Sequence, residues 1–462
     1  MNAVLRAPLF AIPALAAALL AAGAVTAQEA PNTQDPVYAA MAAGRAQHKP
    51  VLVNYHAPWC YSCYFMAKHV LTGPEWDALV KQSVMVELDA DSPEGQKWMA
   101  AWHVKAMPSY LLFDENGQEL GRILGEQTRA DFYKWSGATL ARGSALEDVK
   151  KSVVDGKEPS VTAAREVLRA YHERYDANGG HAWFLSLPPP VRSALARDAQ
   201  ASAWIARLEL QRAAAENDVA GCTNVADMVL SGSLGCERPY ELDKIMACTE
   251  KAPEASRREM LRPQVAPMQV LVDKRVLSDY RCADERSVVL STADLYAALG
   301  DKANEKSVLD KAIEDVKKRI GGDAGSSPGQ ALRKDRNLSD NLRVYLDRAG
   351  RTEELDALLG KLIEAYPQDY VYAFRKGKVL ALRGEHAPAL PFFEQAAGKA
   401  YGINQLHNAE FRAKSLQALN RNNEARQVLA DVLKTTGPFF PDEADKLKAY
   451  LHTLELPANK AS

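Results

Sequence analysis

The 462-residue chain has no surplus of either charge: 57 lysines and arginines stand against 59 aspartates and glutamates, for a formal net charge of −2. Such balance excludes the broad basic face that a polyanion requires, so no nucleic-acid partner is expected. The charge-rich, core-poor composition of a disordered protein is absent too, because 47% of residues are hydrophobic and 25% charged. Cysteine is scarce, with six residues, and the length implies two or three domains rather than a small disulfide-stapled scaffold. There is no C-x-x-C-H, no second C-x-x-C and no H-E-x-x-H, which removes the usual signs of c-type haem, a zinc ribbon or a zinc protease. A phosphate-binding glycine loop and a G-x-S-x-G elbow are also missing. No cofactor and no metal site is therefore expected, His56 near a dithiol being the residual metal-binding option.

Long apolar runs are rare as well. Beyond residue 27 no stretch of 18 or more uncharged apolar residues occurs, so no membrane span is expected there. The exception is Ala7 to Ala27, which follows Arg6 and ends in Val25-Thr26-Ala27. That order of charge, apolar run and small residues predicts a secretory signal at 1–27, cleaved after Ala27. An uncleaved membrane anchor is the alternative; Pro8, Pro13 and the alanine-rich composition favour removal. Export places the protein in the periplasm, an oxidising compartment, where cysteines pair.

A polar leader at 28–36 precedes a region of about one hundred residues, 37–140, that alternates strand and helix patterns. Val51 to Tyr55, Val84 to Leu88 and Tyr110 to Phe113 are short β-rich runs, and an Asn116-Gly117 turn leads into a fourth at 119–124. Helical pieces are predicted between 60 and 82, 94 and 103, and 128 and 140, making an α/β sandwich. From 141 onward the strand signals largely stop and the pattern is all-α. Residues 141–286 carry Cys222, Cys236, Cys248 and Cys282, expected to form two structural disulfides whose pairing three connectivities leave open.

The last part, 287–462, repeats itself. Gly350 and Gly384 lie 34 residues apart at equivalent places in helix-turn-helix units, and Gly377, Ala389, Phe393 and Ala396 complete one unit. Leu355, Leu359 and Leu362 hold matching positions in the unit before, and Ala425 and Leu429 in the unit after. This region resembles the tetratricopeptide repeats, which implies stacked helix pairs presenting a surface to protein partners; an irregular helical bundle is the alternative.

The chemistry lies in Trp59-Cys60-Tyr61-Ser62-Cys63, placed where a strand gives way to a helix. Unpaired N–H groups at a helix start favour the thiolate of the first cysteine, and the second follows about one turn later. Cys60 is thus the nucleophile and Cys63 the resolving thiol. The run from Lys49 to Cys60, Met107-Pro108 ahead of a strand, and Gly125 after the last hairpin together resemble the thioredoxin superfamily. Within it they most resemble the soluble C-terminal domain of the periplasmic thiol:disulfide interchange reductase and related exported proteins. The resemblance covers residues 37–140. It implies a cis Pro108 that sets the Met107 backbone beside the sulfurs for strand-like pairing with a substrate, Trp59 shielding the dithiol, and Gly125 leaving room for substrate backbone.

One departure matters. Many relatives have a buried aspartate where this chain has Asn54, and an amide cannot accept the proton that Cys63 must lose. Glu87 on the neighbouring strand is expected to point to the same interior and act as proton acceptor; a solvated edge residue is the alternative. The whole implies an exported thiol-disulfide oxidoreductase acting on protein substrates, in the reductase or isomerase direction, recharged by an external redox partner. The contrasting reading is a periplasmic scaffold or assembly factor with a non-catalytic thioredoxin-like head.

Overall fold

A computed structural model describes residues 35–154, 161–232, 234–321 and 328–455. The expected signal at 1–27 and most of the leader lie outside the described residues. Order begins at Asp35, whose carboxylate accepts from the Val37 N–H at 2.9 Å and so caps α1 (Pro36–Gln47). The last leader residue, Pro36, is thus the first turn of a helix.

Four strands follow: β1 (Val51–His56), β2 (Val84–Asp89), β3 (Ser109–Phe113) and β4 (Glu119–Leu124). They form one sheet in the order β2-β1-β3-β4, with β1 and β2 parallel and the other pairs antiparallel. Strand alternation sorts the core into two layers. Val51, Val53 and Tyr55 pack with α1 and with α4 (Pro93–Ala101) through Trp98 and Met99. Leu52, Tyr110 and Leu112 pack on the opposite face with Met66, Phe132 and Trp135, carried by α2 (Tyr61–His69) and α5 (Arg129–Arg142). The helical stretch expected between 60 and 82 is two helices, because Thr72, Gly73 at φ +77° and Pro74 start α3 (Gly73–Gln82) afresh. The Asn-Gly hairpin turn forms as expected, Asp114 Oδ1 accepting from the Asn116 and Gln118 N–H groups. The sandwich closes at Gly143, the left-handed cap of α5.

Everything described after residue 143 is helical or turn. Pro189 opens a new helix (Pro189–Arg197) after the break at Leu187. One hydrophobic cluster runs from Ala206 through Val288 and Leu309 to Tyr372, so packing is continuous across residue 287. The 34-residue spacing lands on equivalent geometry: Gly350 and Gly384 take positive φ of 65° and 81° at turns between helices. Gly377 is held to glycine by contact, since a Cβ there would lie 2.8 Å from the Phe393 ring. The four scattered cysteines resolve into Cys222–Cys248 and Cys236–Cys282.

Candidate active site

β1 ends at the sheet's rim, and the chain turns through Pro58 so that Cys60 becomes the N-cap of α2. Its sulfur accepts from the Cys63 N–H at 3.1 Å, placing one orphan helix donor on the nucleophile. Cys60 and Cys63 are disulfide-bonded, with Cα atoms 5.2 Å apart. They are 3% and 9% exposed and pack with Ala57, Ala90, Met99 and Met107. The Met107–Pro108 peptide is cis, and the Pro108 carbonyl accepts from the Gly125 N–H at 2.9 Å. A φ of +76° makes Gly125 a glycine position, and the space a Cβ would fill beside it is open. Trp59 is not core: it is 39% exposed, with its indole N–H donating to Asp91 at 3.0 Å.

The structure corrects the placement of Glu87. It is paired in register with buried Asn54, as alternation requires, but β2 is an edge strand and the carboxylate is exposed. One buried carboxylate beside the motif is Glu126, next to Gly125 and 8% exposed; Asp91, which accepts from Trp59, is another at 3%. Burial holds the Glu126 pKa well above the usual carboxylate range; nearby Asp284 adds to this, and Arg286 and a hydrogen bond with Ser62 oppose it. A lone acidic residue in a loop reads as solvated. Only the helical body that covers this loop makes Glu126 interior.

That body closes on the dithiol face. Arg286 lies 3.1 Å from the centre of the Tyr61 ring, and Asn337 Nδ2 donates to the Tyr61 carbonyl at 3.1 Å and toward Glu126 at 3.5 Å. Arg375 donates to the Trp59 carbonyl at 2.8 Å. Both arginines converge, with Arg343, on Asp340, which is 0% exposed. On the far side, Ile403 N–H donates to the Asp91 carbonyl at 3.0 Å. A Cβ at Gly402, φ +55°, would lie 1.9 Å from that same oxygen, so only glycine permits this approach. The body residues that touch the head were not identifiable in the sequence, because each meets a partner more than 200 positions away.

A chamber of about 1560 Å³ remains between head and body. Tyr61, Ser62, Met107, Gly125 and Glu126 line it from the head, and Cys236, Tyr240, Arg281 and Asp284 from the body. Met107 therefore packs against the cluster that holds Cys60 and Cys63 and also lines this chamber. Among the described residues no group of three or more His, Cys, Asp or Glu side chains is arranged to hold a metal, and no helix is long and apolar enough to cross a membrane.

Residues 37–139 match the thioredoxin-like domain family. The thiol:disulfide interchange protein DsbD of Pseudomonas fluorescens is 33% identical over 129 residues, 26% of this chain and 22% of that protein. DsbD of Haemophilus ducreyi is 31% identical over 93 residues, 19% of this chain and 16% of that protein. The match thus takes in about a fifth of each relative's length. A thioredoxin from Thermus thermophilus is 28% identical, covering 24% of this chain and 87% of its own, with a TM-score of 0.23. The head is a thioredoxin-like domain, and the region behind it is all-helical.

Proposed function

We propose that the chain is an exported thiol-disulfide oxidoreductase that exchanges disulfides with protein substrates. The observation that carries this reading is the Cys60–Cys63 pair at a helix start, packed against Met107 of the cis Met107–Pro108 peptide, with Tyr61, Ser62, Met107 and Gly125 lining the adjoining chamber. In the reduced head, Cys60 attacks a substrate disulfide, Cys63 resolves the mixed disulfide, and the head is left oxidised for an external redox partner to recharge. An extended cysteine-bearing segment pairs with the Met107 backbone inside the chamber, and folded domains are kept out by the body.

The proton that Cys63 loses goes to Glu126. A carboxylate whose pKa is raised by burial is closer in basicity to a thiolate, with its ordinary value of about 8.5, than an exposed one is. The helix start contributes about 0.3–1 kcal/mol to the Cys60 thiolate, under one pKa unit at 1.36 kcal/mol each. With no cation or proline between the cysteines, a reducing or intermediate couple follows, which favours the reductase or isomerase direction. Residues 1–27 serve as the export signal to the periplasm, and the paired helices of 287–462 act as tetratricopeptide-like repeats toward protein partners.

Insulin reduction by the full chain with dithiothreitol, compared with Cys60→Ser, tests the reading. Turnover that vanishes in the variant supports it, and equal rates overturn it. A non-catalytic scaffold is the second reading, favoured by one observation: the dithiol is nearly covered and clamped by the body.

A further inference from the structure

Cys236–Cys282 differs from Cys222–Cys248 in where it sits. Cys222 lies fully buried within the helix Val219–Ser231, and Cys248 ends the helix Arg238–Cys248; neither lines the chamber. Cys236 does line it, half-buried in the three-residue turn Gly235–Glu237. Cys282 lies behind it in the loop that follows Arg275, two residues from Asp284, which shares the chamber with Tyr61 and Glu126. The same short segment continues to Arg286 on the Tyr61 ring. One member of this disulfide, Cys236, is therefore on the body wall of the chamber whose head wall includes Met107 and Gly125, and the Cys60–Cys63 pair packs against Met107 without itself lining the chamber. Arg275 and Arg281 also line the body wall, with Arg281 paired to Asp315 and Glu285. Partly exposed sulfur in such surroundings is the reactive kind.

Resting on the oxidoreductase reading above, we infer that Cys236–Cys282 is a redox partner of the head within the same chain. An external dithiol first reduces Cys60–Cys63. As the head closes across the chamber, the Cys60 thiolate attacks the Cys236 sulfur: the Cys236–Cys282 bond breaks, a Cys60–Cys236 bond forms, and Cys282 leaves as thiolate. Cys63, deprotonated, then attacks the Cys60 sulfur, re-forms Cys60–Cys63 and expels Cys236. The head loses two electrons and the body pair gains them; the protons released by Cys60 and Cys63 are matched by those taken up at Cys282 and Cys236. The body pair then stores reducing equivalents beside the chamber.

The test uses the full-length Cys63→Ser chain, in which Cys60 is a free thiol, alkylated without added reductant and mapped by mass spectrometry under non-reducing conditions. A Cys60–Cys236 link with alkylated Cys282, and Cys222–Cys248 intact, is the expected result. Alkylated Cys60 beside an intact Cys236–Cys282 overturns the proposal. A second measurement needs no trapped variant: the rate at which limiting dithiothreitol opens Cys236–Cys282 should fall at least tenfold in Cys60→Ser, and equal rates overturn the proposal. Insulin turnover measured on the same wild-type sample separates the two readings. Turnover without exchange overturns only the internal relay, whereas absence of both overturns the oxidoreductase reading as well.

Discussion

The Arg286 guanidinium covers the Tyr61 ring at 3.1 Å and reaches Asp340 at 2.9 Å, so one side chain joins the residue after Cys60 to the buried charge cluster of the body. A desolvated cation over an aromatic face is worth about 2 kcal/mol, whereas leaving a buried charge without its partner costs about 3–5 kcal/mol. Truncating the ring is therefore the cleaner probe. Tyr61→Ala should lose about 2 kcal/mol of stability and should speed reduction of Cys60–Cys63 by dithiothreitol, followed by thiol alkylation. An unchanged rate would mean that this contact does not cover the dithiol.

Asp340 gives the body an acid limit. Burial raises its pKa, but Arg343, Arg375 and Arg286 overcome this and hold the carboxyl far below the usual range. A depressed folded value means a contribution to stability that is complete above the unfolded pKa of about 3.9 and lost as pH falls below it. Thermal melts should show wild type destabilised more steeply than Asp340→Asn under pH 4. At neutral pH the variant should be the weaker by about 3–5 kcal/mol.

Glu126 behaves with the opposite sign. Its raised folded pKa means that stability is complete below about pH 4.3, the unfolded value, and declines as pH rises toward the folded one. Glu126→Gln should remove that decline while slowing Cys63 resolution about tenfold, below the 10²–10⁴ range of a fully aligned acid-base catalyst. The inflection in the resolution rate against pH should vanish with it. Glu87→Gln should leave the stopped-flow kinetics unchanged.

The Cys222–Cys248 bridge closes a 26-residue separation, which in the loop-entropy account corresponds to roughly 3.5 kcal/mol. Replacing both with serine should lower the denaturant midpoint accordingly and leave insulin turnover per folded molecule intact. A loss of turnover at full folding would assign this pair a redox role that its place away from the chamber argues against.

The sandwich was legible in the sequence because its signals are local: β-rich runs such as Val51 to Tyr55, an Asn116-Gly117 turn, and a C-x-x-C following a strand. The same held for the helical body, where Gly350, Gly377 and Gly384 mark turns and close contacts. Glu87 misled because alternation fixes a face of the sheet but not whether anything covers that face at an edge strand. Glu126, Arg286 and Gly402 stayed hidden because their roles arise only when distant segments meet. The pairing of Cys236 with Cys282 likewise depends on how the turn at Gly235 packs against the loop after Arg275, which spacing alone does not determine.

The most direct measurement is a glutathione redox titration of Cys60–Cys63 in the full chain, with the thiols counted by mass after alkylation. A reversible two-electron couple between about −270 and −180 mV, the span from thioredoxin to protein disulfide isomerase, is the expected result. A pair that stays locked under reducing glutathione, or one poised near −120 mV as strong oxidants are, would contradict it.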